Sequence, residues 1–349
     1  MAGWTSPRIE ARRCIALLLL VLLVGCGAEG EGETKLVEYQ QALAKALDQP
    51  SPERSAPSNI GAFPDRNERL LTVTETREGM LDIYALRECR ITSLIAARNN
   101  QLGRVAPPSQ QWIYELELWR HLHACWNSEV PDSLSESARK LLERLTRIKT
   151  EQLPKVSWNS LFGSEEWVGN FSRASSPLTP GDTQGIEAQL AALAWLRQAT
   201  INQYNPEWGH ESATLEGHLK SLRNRPLTAE LLRALLLAEQ RMEEATLLLA
   251  ATLESESGCQ ALTAPSGELL QLMTGMEAFN WLDRLEALAT RWLHAIDDLL
   301  ESHLPPPAAV ATYRERWLSL ENPRAPLPAL HQARAEHSRH WQALIERCT

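Results

Sequence analysis

Leu231, Leu235, Ala238, Met242, Ala245, Leu249 and Thr252 recur at alternating spacings of four and three. This is the seam of an amphipathic helix in a bundle, so the pattern predicts a helix over 227–254. The same period appears at Leu36, Tyr39, Leu43 and Leu47, and again at Met80, Ile83, Tyr84, Ile91, Leu94 and Ile95. These predict a first short helix up to Leu47 and a second from about 75 to 98. Further helices are expected over 109–126, 133–153, 186–203, 211–222, 267–302, 308–320 and 328–347. Pro154 should end the helix over 133–153, and Pro307 suits the first turn of the helix it precedes. The proline-rich stretch 49–66 and the Ser/Gly/Pro-rich stretch 155–182 carry no helical period and read as connectors. No run of β-branched residues at period two is long enough for a sheet. The expected fold is all-α, a multi-helix bundle or array of about nine to eleven helices.

Trp112, Leu116, Trp119 and Trp126 fall on one stripe of the 109–126 helix. Such a stripe buries a large apolar area and reads as the core seam of a helix hairpin. The competing reading is an aromatic docking surface.

The first 26 residues break the bundle pattern. Arg8, Arg12 and Arg13 precede an apolar stretch from Cys14 to Val24, and the run ends Leu23-Val24-Gly25-Cys26. Eleven apolar residues span roughly 17 Å as a helix, against about 30 Å of hydrocarbon, so cleavage is favoured over a lasting transmembrane helix. A thiol directly after Leu-Val-Gly is the arrangement of a bacterial lipoprotein signal, with Cys26 as the acylated residue (a palmitate-type anchor). Residues 1–25 are then a signal peptide that is removed, 26–34 a lipidated flexible tether, and 35–349 a single large helical domain with a possible sub-boundary near 160–182. Gly27, rather than Asp, after the cysteine favours the outer membrane over the inner, with the body facing the periplasm. The alternative is an ordinary secretory signal in which Cys26 is incidental.

Charge and cysteines sharpen that placement. Removing 1–25 takes three Arg and one Glu from a chain of formal charge −9, leaving about −11. No dense Lys/Arg block remains, which argues against nucleic acid as a partner. Of six cysteines, Cys14 leaves with the signal and Cys26 carries lipid. Cys89, Cys125, Cys259 and Cys348 remain, an even number in an oxidising compartment. Three pairings are possible. Cys89 with Cys125 and Cys259 with Cys348 is favoured, because each joins neighbouring helices; four free thiols are the alternative.

Candidate chemistry is thin. The sequence has no Gly-rich phosphate loop, no Gly-x-Ser-x-Gly elbow and no His-Glu-x-x-His helix. His294, Asp298 and Glu301 share a helix face and could offer metal ligands, though a solvated polar face explains them as well. Glu207 and His210 match a Glu-x-x-His pattern without the required second copy. His337 and His340 beside Glu336 could form a ligand pair or simply suit a helix C-terminus. The reading therefore names no catalytic residue, no cofactor and no metal. Arg98, Asn99, Asn100 and Arg104 surround a turn at Gly103 between two helices, where a scaffold displays recognition groups. The plainer account has the asparagines capping helix ends, the arginines pairing with Glu115 or Glu117, and Gly103 in a left-handed cap.

Together, the Cys26 box, Phe63-Pro64-Asp65-Arg66, the stretch from Cys89 through Val105, Ser109, Tyr114-Glu115, Cys125 and the tail His337, Trp341 and Cys348 resemble a family of proteobacterial lipoproteins catalogued only as a domain of unknown function. The resemblance covers nearly all of the mature chain. It implies the localisation and the cysteine framework, and no activity. The expectation is a non-enzymatic envelope lipoprotein that binds or scaffolds an envelope component through helical surfaces. An envelope hydrolase or small-ligand-binding protein with scattered site residues is the alternative.

Overall fold

The structure, a computed structural model, describes residues 30–100, 103, 105–209, 211–255, 258–259, 272 and 277–348. The stretch 1–25 expected to be a signal peptide, Cys26, Arg104 and His210 lie outside the described residues. Among those described there is no strand, and nine helices have seven residues or more. They are α1 (Glu31–Ala46), α2 (Thr92–Asn99), α3 (Pro108–Trp126), α4 (Glu136–Phe162), α5 (Ile186–Ile201), α6 (Ser212–Arg223), α7 (Leu227–Glu254), α8 (Glu277–Glu301) and α9 (Pro326–Cys348). The all-α expectation holds.

Helix α7 is the axis of the molecule, packed by α9, α1 and α8. Every residue of its predicted seam is buried. Among the described residues, buried apolar side chains form two clusters. The larger runs from Leu36 of α1 to Leu344 of α9 and includes Phe171 and Leu178. The stretch expected to mark a sub-boundary is thus packed into the main core. The smaller cluster joins Leu86, Cys89 and Ile91 to the C-terminal half of α3 and the N-terminal half of α4. Trp112 and Trp119 are 2 % and 3 % exposed, so the tryptophan stripe is core.

Three local expectations are corrected. First, the helix Glu31–Ala46 begins inside the stretch 26–34 expected to be a flexible tether. Glu31 and Glu33 in its first turn complement the helix dipole. Gly32 is required because a Cβ there would stand 2.7 Å from the Trp281 ring.

Second, α4 runs straight through Pro154. Proline removes the N–H that the Thr150 carbonyl would have accepted, and a helix tolerates this where another donor replaces it. That donor is the Tyr204 hydroxyl, which reaches the Thr150 oxygen at 2.8 Å. Tyr204→Phe is therefore expected to lower the unfolding free energy by about 1 kcal/mol, read from urea titration.

Third, the helix expected over 75–98 is two short pieces, Met80–Ala85 and α2, joined by the 3-10 turn Arg87–Cys89. Arg90, at φ 57°, breaks the run. Met80, Leu81 and Tyr84 are 67 %, 85 % and 60 % exposed, so this turn turns its apolar face outward.

Both disulfides pair as favoured, Cys89 with Cys125 and Cys259 with Cys348. The first ties the turn before α2 to the end of α3. The second fastens the last residue of α9 to the chain that follows α7.

Candidate functional site

A cleft of about 1020 Å³ lies between the small cluster and the main core. Its floor is a stripe of α4, where Lys149, Gln152, Val156 and Asn159 recur at helical spacing. Gln111, Tyr114, Glu115 and Leu118 of α3 supply one wall, and Ile95, Arg98 and Asn99 of α2 extend it. The other wall is a non-helical strap, residues 71–79.

Side chains of α4 hold the strap in place. Asn159 accepts from the Leu71 N–H and donates to the Leu71 carbonyl, both at 2.8 Å. Gln152 donates to the Thr74 carbonyl at 2.7 Å. Arg144 grips Glu78 through two hydrogen bonds of 2.9 Å, a bidentate geometry that fixes direction as well as distance.

The charges in the cleft are largely paired. Lys149 meets Glu115 at 2.9 Å, with side chains 11 % and 20 % exposed. Arg77 meets Glu75 on the strap at 2.8 Å. Arg98 does not pair with Glu115; its Nη1 donates to the Gly103 carbonyl at 2.7 Å and its guanidinium lies 5.9 Å from the Tyr114 ring centre. Burial, with the neighbouring Glu115 charge, pushes the Tyr114 phenol well up, against the opposing pull of Arg98. It remains a protonated donor, and among the described residues its hydroxyl has no hydrogen-bond partner.

The structure thus brings Arg98 and Asn99 to the cleft, while Asn100 closes the turn by accepting from the Gly103 N–H at 2.8 Å. Gly103 is not left-handed: among described glycines only Gly181 and Gly185 have positive φ. Its need for glycine is close approach, since a Cβ would stand 2.4 Å from the Ala97 carbonyl oxygen.

The other candidates disperse. His294 and Asp298 are exposed on α8. Neighbouring Asp297 and Glu301 pair with Arg314, so this is a solvated face with its own ion pairs. Glu207 is exposed in a turn rather than on a helix. His337 is not on the surface; it is 2 % exposed and bound into a chain of hydrogen bonds. The Trp341 indole donates to the Tyr39 oxygen at 3.0 Å, and the Tyr39 hydroxyl donates to His337 Nε2. On the other side, His337 Nδ1 donates to Thr246, 3.0 Å away, whose hydroxyl donates to the Met242 carbonyl at 2.8 Å. This chain links α1, α7 and α9. His340 instead turns back to the Glu336 carbonyl, 3.0 Å away. A second depression of about 410 Å³ contains Arg225, which is satisfied internally by Asp182 at 3.0 Å and Glu230 at 2.5 Å.

His303 is a further, half-buried histidine that periodicity did not reveal. Its Nδ1 donates to the Leu299 carbonyl at 2.9 Å, and Nε2 stands 3.1 Å from the Thr200 hydroxyl. Burial pulls both His303 and His337 down from 6.5 to about 4, with His340 adding to the effect at His337. A folded value below the unfolded one means stability is complete above about pH 6.5 and is lost as pH falls towards 4. Each histidine contributes up to about 3 kcal/mol across that window. The urea midpoint should drop between pH 7 and pH 4.5, and His303→Gln or His337→Gln should show a shallower drop than the parent chain.

Among the described residues these features define an all-helical body with two apolar clusters, two disulfides and a cleft of mixed polarity. The family model described as protein of unknown function (DUF3080) matches residues 36–349, and the chain belongs to that family. No curated protein and no solved structure matches it.

Proposed function

We propose that this chain is a non-enzymatic, lipid-anchored protein of the bacterial envelope that holds another envelope component in the cleft between strap and α3. The observation that carries the reading is the cleft itself. At about 1020 Å³ it is at the upper end for a small-molecule pocket. Its carboxylates Glu75, Glu78 and Glu115 are each engaged by a cation rather than poised for proton transfer. Arg98, stacked near Tyr114 and held by a carbonyl, keeps its charge available at the rim.

The anchor rests on Leu23-Val24-Gly25-Cys26. Two disulfides fit an oxidising compartment, and Gly27 after the cysteine favours the outer membrane with the body in the periplasm. With α1 beginning at Glu31, the four residues after Cys26 keep the body within about 20 Å of its bilayer.

A photoreactive residue placed at Gln111, in the cleft wall, should give a discrete adduct in intact cells. The same residue at Glu143, on the solvent face of α4, should give none. Equal labelling from both positions, or none from Gln111, would overturn the reading.

A further inference from the structure

The strap has backbone groups that its own fold leaves unused. Leu71 exchanges both of its backbone hydrogen bonds with Asn159, and the Thr74 carbonyl is taken by Gln152. Thr72, Val73, Glu75 and Thr76 make no backbone hydrogen bond to any described residue. Val73, Glu75 and Thr76 border the cleft. A non-helical run with free N–H and C=O groups, held by side chains instead of by a neighbouring strand, is a template for strand addition.

Resting on the cleft reading above, we infer that the ligand is an extended peptide segment of the partner, paired as a strand with the Val73 to Thr76 backbone. The dimensions agree. Lys149 to Ser160 on the floor spans about 17 Å of helix, which matches roughly five residues of extended chain. The charge agrees as well. Arg77, Arg98 and Lys149 are balanced by Glu75, Glu78 and Glu115, a lining without net charge that suits a peptide backbone and gives a polyanion no net attraction. Ile95, Leu118 and Val156 are interspersed among these charges, giving apolar sites for alternate side chains of the incoming strand. The Tyr114 hydroxyl is a further donor for a peptide carbonyl.

The test is a selection of linear nonapeptides, displayed on phage, on the full mature chain in detergent, followed by affinity measurement of the selected sequences. Val73→Pro removes one N–H while leaving the Leu71 and Thr74 anchors; it should weaken binding at least tenfold. Val73→Ala, which keeps the N–H, should change it less than threefold. Should Val73→Pro disturb the strap's own folding, N-methylated copies of the selected peptides tested on the unaltered chain carry the same question, and methylation at alternate residues should abolish binding. Failure to select any peptide, equal effects of the two substitutions in a folded chain, or tolerance of every N-methyl group would overturn the inference. If Gln111 still labels a partner in cells under those outcomes, the cleft reading stands and only the strand-addition mode falls.

Discussion

Replacing Arg241 by Ala should lower the unfolding free energy by about 3–5 kcal/mol, the cost typical of breaking a buried ion pair by removing one partner. Arg241 sits on α7 with its side chain 3 % exposed, and the Glu244 side chain beside it is 7 % exposed. The guanidinium bonds Glu244 at 2.6 and 2.5 Å, reaches Glu33 of α1 at 3.0 Å and donates to the Ser55 carbonyl at 2.8 Å. Burial alone would raise the Glu244 carboxyl. The Ser55 N–H, Arg241 and Gln40 together hold it below its ordinary value instead.

Alanine would strand that carboxylate and undo the join between α1, the connector and α7. Urea titration at pH 7 reads the loss. Arg241→Met combined with Glu244→Leu should be less damaging than Arg241→Ala alone, because no unpaired charge is left behind. A single-variant loss below 1 kcal/mol would mean water reaches Glu244.

Cys348→Ser is the second large effect. The Cys259–Cys348 bridge closes a sequence separation of 89 residues, and on the chain-entropy account its removal costs about 4 kcal/mol. Arg347 next to it donates to the Leu253 and Ser255 carbonyls, contacts too exposed to hold α9 by themselves. The variant should melt earlier than the oxidised chain, and adding reductant should bring the unaltered chain down towards a variant lacking all four of these cysteines. A melting midpoint indifferent to both changes would contradict the assignment.

What the sequence made legible follows from range. The bounds of α7 agree with the expected 227–254 because its period repeats over about six turns and every position on the stripe is buried. The disulfide pairing was readable since each pair links elements that lie side by side. Pro154 misled because the donor that excuses it, Tyr204, is 54 residues from Thr150 in sequence. Met80 and Tyr84 misled in the opposite sense, matching the apolar stripe of a helix while lying exposed on a short one. His337 looked like a surface residue because its partner Tyr39 is 298 positions away. The cleft was half visible. Arg98 and Asn99 stood out as polar groups at a turn, whereas Gln152, Asn159 and the strap they hold come from separate segments with no local motif.

The cleft beside Arg98 is proposed as the place where a partner is held. This is tested most directly by the yield of the Gln111 photo-adduct in cells carrying Arg98→Ala, with the melting midpoint of the purified variant measured alongside. At least a tenfold loss of adduct is expected, with a midpoint within about 2 °C of the parent. An undiminished adduct from a stably folded variant would contradict it.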